Sequence, residues 1–179
     1  MQEDLEDAVA YLVKQKYVAS DKVCIVGLSY GGYAALMGVV KTPELYQCAV
    51  SINGISHLSD LIKYSAKQRD DEKSRTLIYE KIGHPKRDKA QLDANSPALH
   101  VNKIRTPILM IAGEDDQLVP FSQSKNMQRE LEKAQKISRL IELDDARHNV
   151  FRFKKDRDIV YEEVLNFLSQ YLSLDHSKN

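Results

Sequence analysis

Three separated groups of side chains in this sequence could act together on an acyl carbon. Gly27-Leu28-Ser29-Tyr30-Gly31 fits the pattern G-x-S-x-G, in which a strand turns so sharply into a helix that the serine hydroxyl is left exposed above the strand. A serine hydroxyl is a weak nucleophile, so acyl transfer also needs a histidine to take its proton and a carboxylate to orient that histidine. On chains that carry this elbow the order is serine, acid, histidine. Of the five histidines, His57, His84 and His100 precede the acidic loop that follows a later apolar strand, and His176 lies in the tail, which leaves His148. The acid would come from Gly113-Glu114-Asp115-Asp116-Gln117-Leu118-Val119-Pro120, where Glu114, Asp115 and Asp116 are all placed to serve and spacing alone does not choose. Carboxylates on one loop can also gather a cation, but this loop offers few ligands and no second acidic cluster stands at a neighbouring strand end, so no metal and no cofactor is expected.

A pentapeptide with three fixed positions also arises in ordinary glycine-rich turns, so the flanking elements carry the argument. Val23 to Leu28 is an apolar, β-prone run, and Tyr30 to Val40 is an apolar helix pattern stopped by Thr42-Pro43. The serine would thus sit at a helix N-terminus, where backbone N–H groups favour developing negative charge. Upstream, Leu5, Ala8, Val9, Leu12 and Val13 recur at helical spacing over residues 3 to 16. Downstream the reading gives a strand at 48 to 52, a strand from Thr106 to Gly113, a helix over 122 to 135, a strand at 137 to 143 and a helix over 156 to 172. Strand, helix and strand joined this closely imply parallel neighbours. Residues 54–95 are irregular and more charged, and read as a helical excursion over the sheet edge; residues 175–179 are a polar tail.

The 179 residues suit one domain, and 42% hydrophobic with 29% charged residues is an ordinary globular composition. Lysine plus arginine and aspartate plus glutamate each number 26, so there is no basic footprint for nucleic acid. No apolar run approaches the ~20 residues that span a bilayer, and the acidic start, with Glu3, Asp4, Glu6 and Asp7, does not resemble a signal peptide. A cytoplasmic location without membrane association is expected. Cys24 and Cys48 fall in apolar strands and are expected to be buried thiols.

Taken together, the motifs resemble the catalytic domain of the prolyl oligopeptidase family of serine peptidases, near its acylaminoacyl-peptidase and dipeptidyl-peptidase-like branch. Gly27-Leu28-Ser29-Tyr30-Gly31-Gly32-Tyr33 is similar to that family's G-x-S-Y-G-G-Y. Ser96-Pro97, Thr106-Pro107-Ile108-Leu109 and Gly113-x-x-Asp116-x-x-Val119-Pro120 resemble its S-P, T-P-x-L and G-x-x-D-x-x-V-P run, and that register selects Asp116. His148 followed by Phe151 resembles its histidine loop. The resemblance implies an α/β chain with a partial α/β-hydrolase fold: a mostly parallel sheet of about four strands with helices on both faces. It also implies hydrolysis of peptide or acyl-peptide bonds through an acyl-enzyme, with Ser29, Asp116 and His148 catalytic, the backbone N–H of Tyr30 as an oxyanion donor, and Gly27 and Gly31 forming the elbow turn. An esterase or thioesterase using the same residues, and a non-catalytic oligomerising fragment, are the alternatives.

The sequence departs from the family pattern in two ways. Arg147 stands where a glycine generally precedes the histidine, which leads one to expect His148 offset or shielded. A complete member also carries a β-propeller and a sheet of about eight strands, so residues 1–179 are expected to form a single, truncated catalytic domain. Without the upstream loop that gives a second oxyanion donor, the rate would fall by roughly 10²–10³. The bared edge of the elbow strand would then be covered by a second copy in a homo-oligomer.

Overall fold

In the computed structural model, which describes residues 2–69 and 71–172, four strands form one parallel sheet in the order β1-β2-β3-β4. The chain runs α1 (Gln2–Lys14), β1 (Cys24–Leu28), α2 (Tyr30–Lys41), β2 (Cys48–Ile52), α3 (Leu58–Lys67), α4 (Glu72–Ile82), α5 (Lys89–Ala94), β3 (Ile108–Gly113), α6 (Ser122–Lys133), β4 (Ser138–Leu143) and α7 (Lys154–Leu172). The central strands β2 and β3 are buried along their whole length, as their unbroken apolar runs require.

Side-chain alternation along those strands divides the core between two faces. Ala49, Ile108 and Met110 point to the side covered by α2 and α6, where they meet Leu36, Met37, Val39, Met127 and Leu131, with Val9 of α1 against them. Val50, Ile52, Leu109 and Ile111 point to the other side, where Val160 and Phe167 of α7 close the layer. The expected excursion at 54–95 contains α3, α4 and α5, held together by a small cluster of Ile62, Ile78 and Leu92. The polar tail at 175–179 lies outside the described residues.

Two findings bear on the outer strand β1. Among the described residues it pairs only with β2, and Val26 in its middle is 45% exposed. The cysteines also correct the expectation of free thiols: Cys24 and Cys48 are joined in a disulfide, with Cα atoms 4.7 Å apart. They are opposite one another in the parallel register, so their side chains leave the sheet side by side on one face. Composition showed two strand cysteines; the register that aligns them depends on β1 and β2 being neighbours.

Candidate active site

All three candidate side chains stand at the carboxyl ends of strands. Ser29 follows β1 at φ 59°, ψ −117°, a conformation that a non-glycine residue holds only when its surroundings enforce it. Its N–H donates to the Ile52 carbonyl at 2.8 Å, which ties the turn to the end of β2. Gly27 is required by close approach: a Cβ there would lie 2.1 Å from the Gly31 carbonyl oxygen. At Gly31 itself a Cβ would meet nothing within 4 Å. The second crowded position is Gly32, where a Cβ would come within 2.8 Å of the Gly54 Cα. Tyr30 opens α2, so its N–H is among the first-turn donors that have no intrahelical acceptor.

Among the three acids, geometry agrees with Asp116. It is 4% exposed, whereas Glu114 and Asp115 face solvent. Its Oδ1 accepts from the N–H groups of Leu118 at 2.8 Å and Val119 at 2.9 Å, and its Oδ2 lies 2.6 Å from His148 Nδ1. With both oxygens accepting, the carboxylate has a fixed orientation and accepts a hydrogen bond from the Nδ1–H of His148. That tautomer leaves Nε2 as an acceptor, 2.9 Å from the Ser29 Oγ. The hydroxyl, imidazole and carboxylate are therefore linked in series, with the basic nitrogen aimed at the serine proton.

Arg147 does not produce the expected offset: His148 reaches both partners, and its side chain keeps 23% of its surface open. Arg147 is exposed and lines an opening of about 430 Å³ with Asp115, Asp145, Asn149, Arg152 and Phe153. Three other histidines are engaged elsewhere. His57 Nδ1 caps α3 by accepting from the Asp60 N–H, His84 Nδ1 accepts from Lys86 and Arg87, and His100 Nε2 contacts the Asp93 carbonyl. His176 lies outside the described residues. Tyr33 donates its hydroxyl to the Asn95 carbonyl at 3.0 Å; burial, and then the neighbouring Tyr30, pushes its phenol above the ordinary value, so it stays a donor.

One residue at this rim escaped the sequence reading. Asn53 is 1% exposed, donates to the His148 carbonyl from Nδ2 at 2.8 Å and accepts from the Gly113 N–H at Oδ1 at 2.9 Å. Its signal in the sequence is the Asn53-Gly54 pair directly after a strand, which reads as an ordinary turn.

The family model for the prolyl oligopeptidase family matches residues 1–175. The chain belongs to the prolyl oligopeptidase family. Among curated relatives, dipeptidyl aminopeptidase BIII of Pseudoxanthomonas mexicana is 35% identical over 142 residues, which are 71% of this chain and 20% of that protein. Among solved structures, a puromycin-hydrolyzing peptidase of Mycobacterium tuberculosis superimposes with a TM-score of 0.87 at 23% identity, over 97% of this chain and 25% of that one. Pyrococcus horikoshii acylaminoacyl peptidase gives 0.84 at 19% identity, over 99% and 28%. The structural likenesses establish a shared α/β fold. The chain spans about a fifth to just over a quarter of the length of these proteins.

Proposed function

We propose that this family member is a serine hydrolase that cleaves peptide or acyl-peptide bonds through an acyl-enzyme. What carries the reading is the pair of contacts made by His148, at 2.9 Å to Ser29 Oγ and 2.6 Å to Asp116 Oδ2. In this proposal Ser29 Oγ attacks the carbonyl carbon while Nε2 of His148 takes the hydroxyl proton, and the carbonyl π electrons move onto oxygen. Asp116 stabilises the imidazolium that forms, and the Tyr30 N–H donates to the oxyanion. Collapse expels the amine, which receives the proton from His148; water then repeats the sequence on the acyl-serine. The peptide substrate class follows from the names of the relatives, dipeptidyl aminopeptidase and acylaminoacyl peptidase, carried over to this chain as part of the proposal.

Activity-based labelling with a fluorophosphonate tests this reading. Wild-type protein is expected to be modified at Ser29, with labelling lost in Ser29→Ala and strongly reduced in His148→Ala. A folded wild type that stays unlabelled would overturn it.

Residues 1–179 are proposed to form a single, truncated catalytic domain, and the outer edge of β1 to pair with a second copy. Val23 C=O and Ser29 N–H point at β2, so the alternate positions Cys24, Val26 and Leu28 present their backbone groups outward. That edge bears no charge, whereas β4 at the opposite edge carries Arg139 and Glu142, the usual protection of an exposed strand. A cavity of about 260 Å³ along β1, lined by Val9, Leu12, Val26, Leu168 and Leu172, provides an apolar seat. Charge favours an antiparallel copy: α1 begins with Glu3, Asp4, Glu6 and Asp7 and is followed at its far end by Lys14 and Lys16, so reversed copies set acid against base.

Among the described residues no helix is long and apolar enough to cross a membrane. The proposal of a cytoplasmic location is tested by the cysteines, because a reducing cytoplasm keeps such a pair as thiols. Two free thiols in protein alkylated directly on cell lysis would support it, and the Cys24–Cys48 bond would assign an oxidising compartment.

A further inference from the structure

The geometry points to Asn53 as the positioning residue that holds His148 over Ser29, a role whose catalytic meaning rests on the hydrolase reading above. The imidazole is carried by a loop after β4, and a loop by itself does not fix a ring to within a few tenths of an ångström. Something must anchor the backbone of residue 148 to the sheet. Asn53 does so from the end of β2: its Nδ2 donates to the His148 carbonyl at 2.8 Å. The same side chain accepts from the N–H of Gly113 at 2.9 Å, at the end of β3 where the Asp116 loop begins. Its own N–H donates to the Ile111 carbonyl at 2.8 Å. One residue thus ties the end of the central strands to both the acid loop and the histidine loop.

Asparagine suits this position for two physical reasons. The carbonyl of His148 needs a donor and the N–H of Gly113 needs an acceptor, and a carboxamide presents the two on separate atoms that can reach both loops at once, so the network fixes which end is oxygen. The backbone at residue 53 also has φ 45°, a left-handed conformation that asparagine, aspartate and glycine adopt more readily than other residues. Apart from the side-chain bond between Asp116 and His148, the contacts between the two loops are between backbones: Asp115 N–H donates to the Ala146 carbonyl at 3.0 Å, and a Cβ on Gly113 would lie 2.3 Å from that same oxygen. These bring the two loops together without gripping residue 148. Asn53, at 1% exposure, is the side chain that holds the backbone carbonyl of His148, and water does not compete for it.

Two substitutions compatible with the left-handed backbone separate its two bonds. Asn53→Asp keeps the acceptor for Gly113 and removes the donor to His148, and Asn53→Gly removes both. Fluorophosphonate inactivation kinetics are expected to show a maximal rate about 10²-fold lower for each variant with the reagent's half-saturation concentration little changed, since misplacement by about 1 Å costs that order of rate. Crystal structures of both variants are expected to show His148 Nε2 beyond 3.5 Å from Ser29 Oγ, and melting curves are expected to remain cooperative. Inactivation of Asn53→Asp within threefold of wild type, with the imidazole still within hydrogen-bond reach of the serine, would overturn the inference. Failure of the wild type to react would overturn the hydrolase reading instead, and the crystal structures of the variants would still decide whether Asn53 holds the histidine.

Discussion

Asp116 is the residue whose removal separates an assembled site from a loose one. Its Oδ1 is held by two backbone N–H groups and its Oδ2 by His148, so Asp116→Asn preserves shape while offering an amide to the Nδ1 proton. The imidazole would then turn the wrong tautomer toward Ser29, and fluorophosphonate labelling is expected to slow by roughly 10⁴-fold, the size of the same substitution in another triad. Labelling of Asp116→Asn within tenfold of wild type would remove Asp116 from the proposed mechanism. A second residue-scale expectation concerns the turn after α4. Asp88 is held down to about 2, first by its hydrogen bond to Arg87 and then by the His84 N–H it accepts. Since its folded-state value lies below the ordinary carboxylate range near 3.9, its contribution is fully present above about pH 4 and is lost as pH falls through about 2. Protection of the His84 amide, taken relative to the intrinsic exchange rate at each pH, should fall over that window in wild type and stay constant in Asp88→Asn.

At the scale of elements, the β1–α2 elbow explains why glycines cluster there while not all of them are needed for space. Gly27→Ala would drive a Cβ into the Gly31 carbonyl in a turn already strained at Ser29, and is expected to destabilise by more than about 3 kcal/mol and abolish labelling. Gly31→Ala meets nothing within 4 Å and gains helix propensity, so it should leave the stability unchanged or raise it by up to about 1 kcal/mol, as read from the melting curve. Equal damage from the two substitutions would show that the turn is not built as described. The elements themselves were legible because their signals are local. The apolar runs at 48–52 and 108–113 and the helical pattern through 30–41 could satisfy their backbones and bury their side chains in only one way. The pattern marks Gly27 and Gly31 alike as elbow glycines, because it does not say which neighbour comes close to each.

For the whole molecule, the Cys24–Cys48 bond joins residues 24 apart in sequence and fastens the outer strand to the buried β2. Closing a loop of that length constrains the unfolded chain by roughly 3 kcal/mol. Reductant is therefore expected to lower the melting temperature of the disulfide-bonded protein by several degrees. The edge beyond that bond is expected to carry a two-fold dimer. Antiparallel pairing of the outward positions centres on Val26, whose Cα would stand about 5.5 Å from its counterpart, within reach of a disulfide. Val26→Cys should therefore cross-link into dimers under oxidation, while the wild type sediments as a dimer at micromolar concentration. A wild-type monomer, or a dimer that Val26→Cys does not cross-link, would exclude this pairing.

The sequence by itself determined which segments are strands and helices, that they alternate as an α/β chain, and that Ser29 and His148 are the serine and histidine to consider. Those features follow from side-chain periodicity, turn chemistry and chain order, which act over a few residues or along the chain. The register of the acidic motif also pointed to Asp116, whereas only the tertiary structure decided that Glu114 and Asp115 face water, that Cys24 and Cys48 bond, and that Asn53 grips the histidine loop. Each of these depends on strand order and register, which bring together atoms tens of residues apart, and no local pattern in the chain encodes such a distance.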